Sequence, residues 1–132
     1  MTQKGANYAL ISCGPDDQDD KHFLAQELTL TAMEVSRTCH KNGAGSTFVH
    51  AHRRNEELYI ITKGRGLFYI DGEEIPVAEG SIVRVASPGL RAISALPGDD
   101  LQYFCIQADT GSLVQATFND GYKVAAKASW MK

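Results

Sequence analysis

Two histidines one residue apart, His50 and His52, are followed by Glu57 and then Gly64. On an extended chain, residues i and i+2 project to the same face, so the two imidazoles can address one cation. Glu57 lies five residues past the second histidine, across a short turn, and can close on the same point from the next strand. Two imidazole nitrogens and a carboxylate form a ligand set for a divalent metal that leaves coordination positions open to water or substrate. Zinc is the first choice with so few protein ligands. Manganese, iron and nickel suit the same donors. A metal held this way polarises a carbonyl or activates water or dioxygen, the chemistry of isomerases, hydrolases and oxygenases. Other catalytic arrangements are weak. There is no Gly-x-Ser-x-Gly elbow and no glycine-rich loop opening a helix. Cys39 and His40 are neighbours, so on a strand they face opposite ways.

The elements that must position these residues read as short strands separated by turn signals, the pattern of an all-β sandwich or barrel. Residues 32–39 form the first clear strand, with Met33, Val35, Arg37 and Cys39 on one face, and residues 46–52 form the next, ending in the two histidines. Arg53-Arg54-Asn55 reverses the chain into a strand over 56–62, which places Glu57, Tyr59 and Ile61 on one face. Further strands follow over 67–70, 74–77, 81–86, 90–95 and 101–108, and residues 113–118 are a possible last one. Asp71-Gly72 is a two-residue hairpin signal. Ile82, Val83 and Val85 read as a largely buried strand. Residues 22–28 suggest one or two helical turns with Phe23, Leu24 and Leu28 on a shared face. The acidic, turn-rich end of residues 1–20 reads as a loop or loosely held arm. The expected organisation is an N-terminal arm over 1–30, a β-barrel over 31–118 and a C-terminal tail over 119–132.

The chain has 132 residues, 43% hydrophobic and 22% charged, which suits one domain with a core that needs no staples. A net charge of −3 with no lysine or arginine run argues against nucleic acid or a membrane surface as the main partner. No stretch approaches the roughly 18 apolar residues of a membrane span, and no apolar signal core follows the N-terminus. A cytoplasmic protein is the expectation. The three cysteines form no CxxC pair, so Cys39 and Cys105 read as small buried residues within strands.

From Gly45 to about Gln107 the chain resembles a cupin. The first motif of that family is a glycine, HxH, three or four residues, a glutamate, six residues and a glycine. His50, His52, Glu57 and Gly64 fit it, with Gly45 one register out. The hairpin between Gly64 and Gly80 also resembles the family. The second motif is degraded. Its histidine position falls on Arg91 when counted from Gly80, and on Ala92 when counted from Pro88-Gly89. The resemblance implies a jelly-roll β-barrel, often dimeric, with a metal or small molecule in its mouth. The strand edges of such a barrel need covering. The expected homodimer would use the N-terminal arm and the strand over 32–39.

If His50 and His52 point inward, so does Phe48, and the two strands line a cavity with a polar mouth and an aromatic-aliphatic floor, as small-ligand pockets have. Tyr59 then either contacts the ligand or packs the core. Ile93 shares a face with Arg91, which favours Arg91 inward. A guanidinium has no lone pair for a metal. Arg91 either pairs with Glu57 and leaves a metal-free pocket, or grips an anionic ligand beside the metal. His40 and Gln107 are weaker candidates for a fourth ligand, and His22 reads as a surface or helix residue. Two functions follow: a metal-dependent enzyme acting on a small oxygen-rich substrate, or a non-catalytic module binding an anion or sugar.

Overall fold

The computed structural model describes residues 2–14, 20–115 and 119–131. Its elements, in chain order, are β1 (Thr2–Lys4), β2 (Ala9–Ile11), β3 (Asp20–Phe23), α1 (Ala25–Leu28), β4 (Glu34–His40), β5 (Asn55–Lys63), β6 (Arg65–Ile70), β7 (Glu73–Ala78), β8 (Ile82–Val85), β9 (Arg91–Ala95) and β10 (Leu101–Asp109). Two antiparallel sheets face each other. One has the order β3-β4-β10-β5-β8 and the other β7-β6-β9, while β1 and β2 make a separate hairpin. The jelly roll is therefore a sandwich whose two ladders do not fuse into one closed ring.

Alternation along the strands builds the core. Tyr59 and Ile61 of β5, Tyr103 and Cys105 of β10 and Val85 of β8 meet Phe68 of β6, Val77 of β7 and Ile93 of β9. The rings of Tyr59 and Phe68 touch edge-on across the sheets at 4.9 Å, a geometry that contributes about 0.5–1.5 kcal/mol beyond buried area. The β6–β7 hairpin turns on Asp71 and Gly72, at φ 49° and 92°. Asp71 Oδ1 also accepts the Leu90 N–H at 2.8 Å and so ties the turn to the start of β9.

Several expected elements differ. Residues 46–52 are not a regular strand. They run beside β9 and meet it at the isolated bridges Gly45↔Ser94 and His50↔Arg91 and through the Ser46 hydroxyl at Ile93. The hydrogen bonds His50 N to Arg91 O (3.1 Å) and Arg91 N to His50 O (2.9 Å) fix the histidines there. Gly45 permits the approach, since a Cβ would collide with Ser94. Phe48 is 69% exposed instead of buried. Ile82 is also exposed, because β8 is an edge strand with one covered face. Val83 and Val85 oppose Tyr59 and Glu57 on the inner face, which leaves Ile82 outside. Of the helical turns expected over 22–28, residues 25–28 form α1, while residues 22 and 23 belong to β3. Backbone groups at the edge of β4 need partners, and β3 supplies them. The N-terminal arm contains the β1–β2 hairpin, while residues 15–19 of its acidic run lie outside the described residues. Residues 113–115 form no strand, and 116–118 lie outside the described residues.

Gly64 has a structural reason to be glycine. Its φ is +83°, and a Cβ there would overlap the Asp100 carbonyl oxygen. Gly72 has φ +92° but open space around it. Gly64→Ala should therefore cost about 2–4 kcal/mol and Gly72→Ala only about 1 kcal/mol, read as midpoint shifts in urea unfolding. Equal losses would show that the crowding at Asp100 is not what requires glycine.

Candidate metal centre

β5 carries Glu57 inward, and the bridge to β9 holds His50 and His52 over it. The carboxylate is only 4% exposed. His52 Nε2 lies 3.2 Å from Glu57 Oε2, and His50 Nε2 lies 3.8 Å from Glu57 Oε1. One ligand atom from each of the three residues falls within 4.8 Å of the others. Ligands held about 2.1 Å from one cation at angles near 90–110° stand about 3.0–3.5 Å apart. The His52–Glu57 spacing matches such a shell, and His50 stands a few tenths of an ångström or more outside it. His52 Nε2 is buried and makes no hydrogen bond despite its nearness to Glu57. A buried nitrogen without a partner is costly. A metal would relieve that cost, so this atom fits the ion.

Beneath the histidines, donors converge on the carboxylate. The Tyr59 hydroxyl donates to Glu57 Oε1 at 3.0 Å, and the Cys105 thiol donates to Oε2 at 3.2 Å. Arg91 is completely buried, with Nε 3.4 Å from Glu57 Oε1. Its Nη2 donates to the Ala86 carbonyl at 3.0 Å and its Nη1 to the Ser87 carbonyl at 3.5 Å. Arg91 thus faces inward, as counting from Gly80 requires, while Ala92 lies on the other face of β9 opposite Tyr69. The guanidinium ties the β8–β9 turn to Glu57.

Burial sets the protonation of this layer. It pushes the Tyr59 phenol far up, helped by the neighbouring Cys105 and Glu57. It pushes the Cys105 thiol up to about 12, with Glu57 adding to the shift. Both groups therefore stay protonated as donors. Burial also lowers His50; Glu57 opposes this, while Arg91, His52 and Lys21 add to it. Neutral imidazole is the form that ligates a metal.

His40 and His22 stand outside the cluster. His40 Nε2 lies 3.1 Å from the Tyr103 hydroxyl. His22 is on β3, exposed, near Asp20 and Glu27. Gln107 opposes Glu57 across the β10–β5 ladder, but its Oε1 accepts the Asn55 Nδ2 at 2.9 Å. Cys105 is the site residue that sequence reasoning missed. It was expected as a small buried residue, which it is, but β10 also sets it directly opposite Tyr59. Only that long-range register brings its sulfur to Glu57.

A cavity of about 360 Å³ opens beside the centre, with His50 in its wall together with Thr38, His40, Phe48 and Tyr103. This is within the usual size for a small-molecule pocket.

The model of the AraC-like ligand-binding domain family matches residues 35–123. A cupin protein from Bacteroides fragilis superposes with a TM-score of 0.85 at 40% identity, covering 91% of this chain and 99% of that one. The chain belongs to the cupin superfamily. An oxalate-binding protein from Thermotoga maritima is 22% identical over 93 residues, 70% of this cupin and 77% of that protein. A predicted oxalate decarboxylase from the same organism shares the fold, with a TM-score of 0.51 at 22% identity over 57% of this chain and 64% of that one.

Two predictions follow from the buried layer. Arg91→Met strands Glu57 and two carbonyls, so it should lower the stability of metal-free protein by about 3–5 kcal/mol. The double variant Arg91→Met/Glu57→Gln should lose less than the two single losses added together. Additive losses would show that the pair is not coupled. In the second test, an aromatic disulfide reagent at pH 8 should find one fast thiol in the native protein, the exposed Cys13, and three after denaturation. Fast reaction of a second thiol would contradict the packing of Cys39 and Cys105.

Proposed function

We propose that this cupin binds a small, oxygen-rich anion at a divalent-metal centre made by His50, His52 and Glu57. The unpartnered, buried Nε2 of His52, aimed at the Glu57 carboxylate, is the observation that carries this reading. Zinc, manganese, iron or nickel suits the donor set, and when bound it would polarise a ligand oxygen. With a divalent ion in place, the ion and Arg91 outweigh Glu57, so the centre is net positive and favours an anionic ligand. Tyr59 and Arg91 serve that ligand through Glu57, whose position they fix. The names of the Thermotoga relatives, which concern oxalate, support the anionic class.

Binding is favoured over acid–base catalysis. The groups directly under the centre, Tyr59 and Cys105, keep their protons, and the outer guanidinium nitrogens of Arg91 are taken by carbonyls. An enzyme of isomerase, hydrolase or oxygenase type is the second reading. It draws on the coordination positions that three protein ligands leave open.

A homodimer is proposed on exposed apolar side chains of the C-terminal stretch, with Tyr122 88%, Val124 68% and Trp130 78% exposed. The segments flanking the ligand-binding unit over 31–118, namely 1–30 and 119–132, are the proposed contact arms. A cytoplasmic setting is proposed, in which Cys13, Cys39 and Cys105 would stay reduced. Among the described residues no helix is long and apolar enough to cross a membrane.

The double substitution His50→Ala/His52→Ala should abolish metal uptake after zinc, nickel or manganese loading, while the far-ultraviolet circular dichroism stays that of a β-protein. Unchanged metal content would refute the centre. Light scattering at micromolar concentration should give twice 14.4 kDa; a monomer mass would remove the dimer.

A further inference from the structure

The cavity beside His50 is lined by a residue, Thr38, whose hydroxyl the fold itself does not use. Thr38 is only 3% exposed, and its Oγ1 is buried without a hydrogen-bond partner among the described residues. Thr38 is in the cavity wall. An unmet buried hydroxyl costs about 1–3 kcal/mol, and valine would fill the same volume without that cost. Something other than packing therefore accounts for the hydroxyl.

Its neighbours have a consistent chemistry. Register pairs Thr38 directly with Lys21 across β3–β4 and with Tyr103 across β4–β10. All three side chains thus share the inner face of the sheet. The Lys21 ammonium rests 5.0 Å over the Phe23 ring, at the edge of the sheet. Lys21 lines the same cavity as His50. The His40 imidazole and the Tyr103 hydroxyl add a pair of polar groups 3.1 Å apart. The Phe48 ring stands 6.1 Å from that of His50 and gives the cavity an apolar wall. Asp20 is also at the rim. It alternates with Lys21 and shares the outer face of β3 with His22, whose Nδ1 is 3.9 Å from its carboxylate.

We propose that Thr38 and Lys21, with the His40–Tyr103 pair, form a second anion subsite, so that the ligand is a dicarboxylate whose ends are separated by a short carbon chain. One carboxylate reaches the centre at His50, His52 and Glu57. The chain lies along Phe48. The far carboxylate accepts from the Thr38 hydroxyl and pairs with the Lys21 ammonium. Oxalate, with its two carboxylates directly bonded, occupies the metal end alone. This proposal rests on the metal-centre reading for its near end only.

The test is isothermal titration of zinc-loaded protein with succinate and with oxalate, on the parent and on Thr38→Val and Lys21→Gln. Each substitution should weaken succinate about tenfold, the loss of one charge-assisted or buried hydrogen bond. Oxalate affinity should stay within about twofold. Thr38→Val should melt at or above the parent temperature, since it removes an unmet hydroxyl. Succinate binding that is absent from the parent, or unchanged in both variants, overturns the subsite. So does an equal loss for oxalate, or a lowered melting temperature for Thr38→Val with succinate affinity intact. Failure of the metal centre has a different signature: no zinc uptake and no oxalate binding by the parent. Succinate binding that remains sensitive to Thr38→Val in that case would still support the subsite.

Discussion

A carboxylate buried between two sheets needs partners on both oxygens, and Glu57 obtains two hydrogen bonds and one ion pair from three separate strands. Tyr59 reaches one oxygen from the same strand, Cys105 reaches the other from β10, and Arg91 approaches from β9. Each donor is itself held in place. Tyr59 packs on Phe68, Cys105 is fixed by the β10 ladder, and Arg91 is anchored by the carbonyls of Ala86 and Ser87. Because the ion pair spans both sheets, breaking it leaves a charge in a low-dielectric interior, which costs far more than the loss of an exposed pair. The geometry presented to a metal is set by this layer beneath the histidines.

The arginine at the position of the second-motif histidine follows the same logic. Histidine at that position would add a ligand. Arginine adds a permanent positive charge with no lone pair. A metal held here would have fewer protein ligands; on the anion-binding reading proposed above, the guanidinium adds positive charge beside it while the nearby phenol and thiol keep their protons.

Much of this was legible before any coordinates. The parity of Glu57, Tyr59 and Ile61 on β5 is a local property, and all three are buried. Ile93 on the face of Arg91 correctly marked that face as inward. The Asp71-Gly72 turn carries its own backbone signal. What escaped depends on contacts distant in sequence. Whether Ile82 lies inside or outside turns on β8 being an edge strand. The 46–52 segment has strand-like composition but pairs with its neighbour through isolated bridges and the Ser46 side chain instead of a continuous ladder. The β3 strand exists because β4 has an open edge, a fact absent from residues 20–23 themselves. Cys105 and Thr38 take on roles only through the register of β10 and β4, which no local pattern encodes.

The most direct measurement is an anomalous difference map from crystals of protein loaded with one metal, collected on both sides of its absorption edge. The account predicts a single strong peak about 2.1 Å from Nε2 of His50, Nε2 of His52 and a Glu57 oxygen, with the Arg91 guanidinium still on the far side of the carboxylate. A map with no peak among these atoms, or with the metal bound elsewhere while Arg91 alone neutralises Glu57, would contradict it.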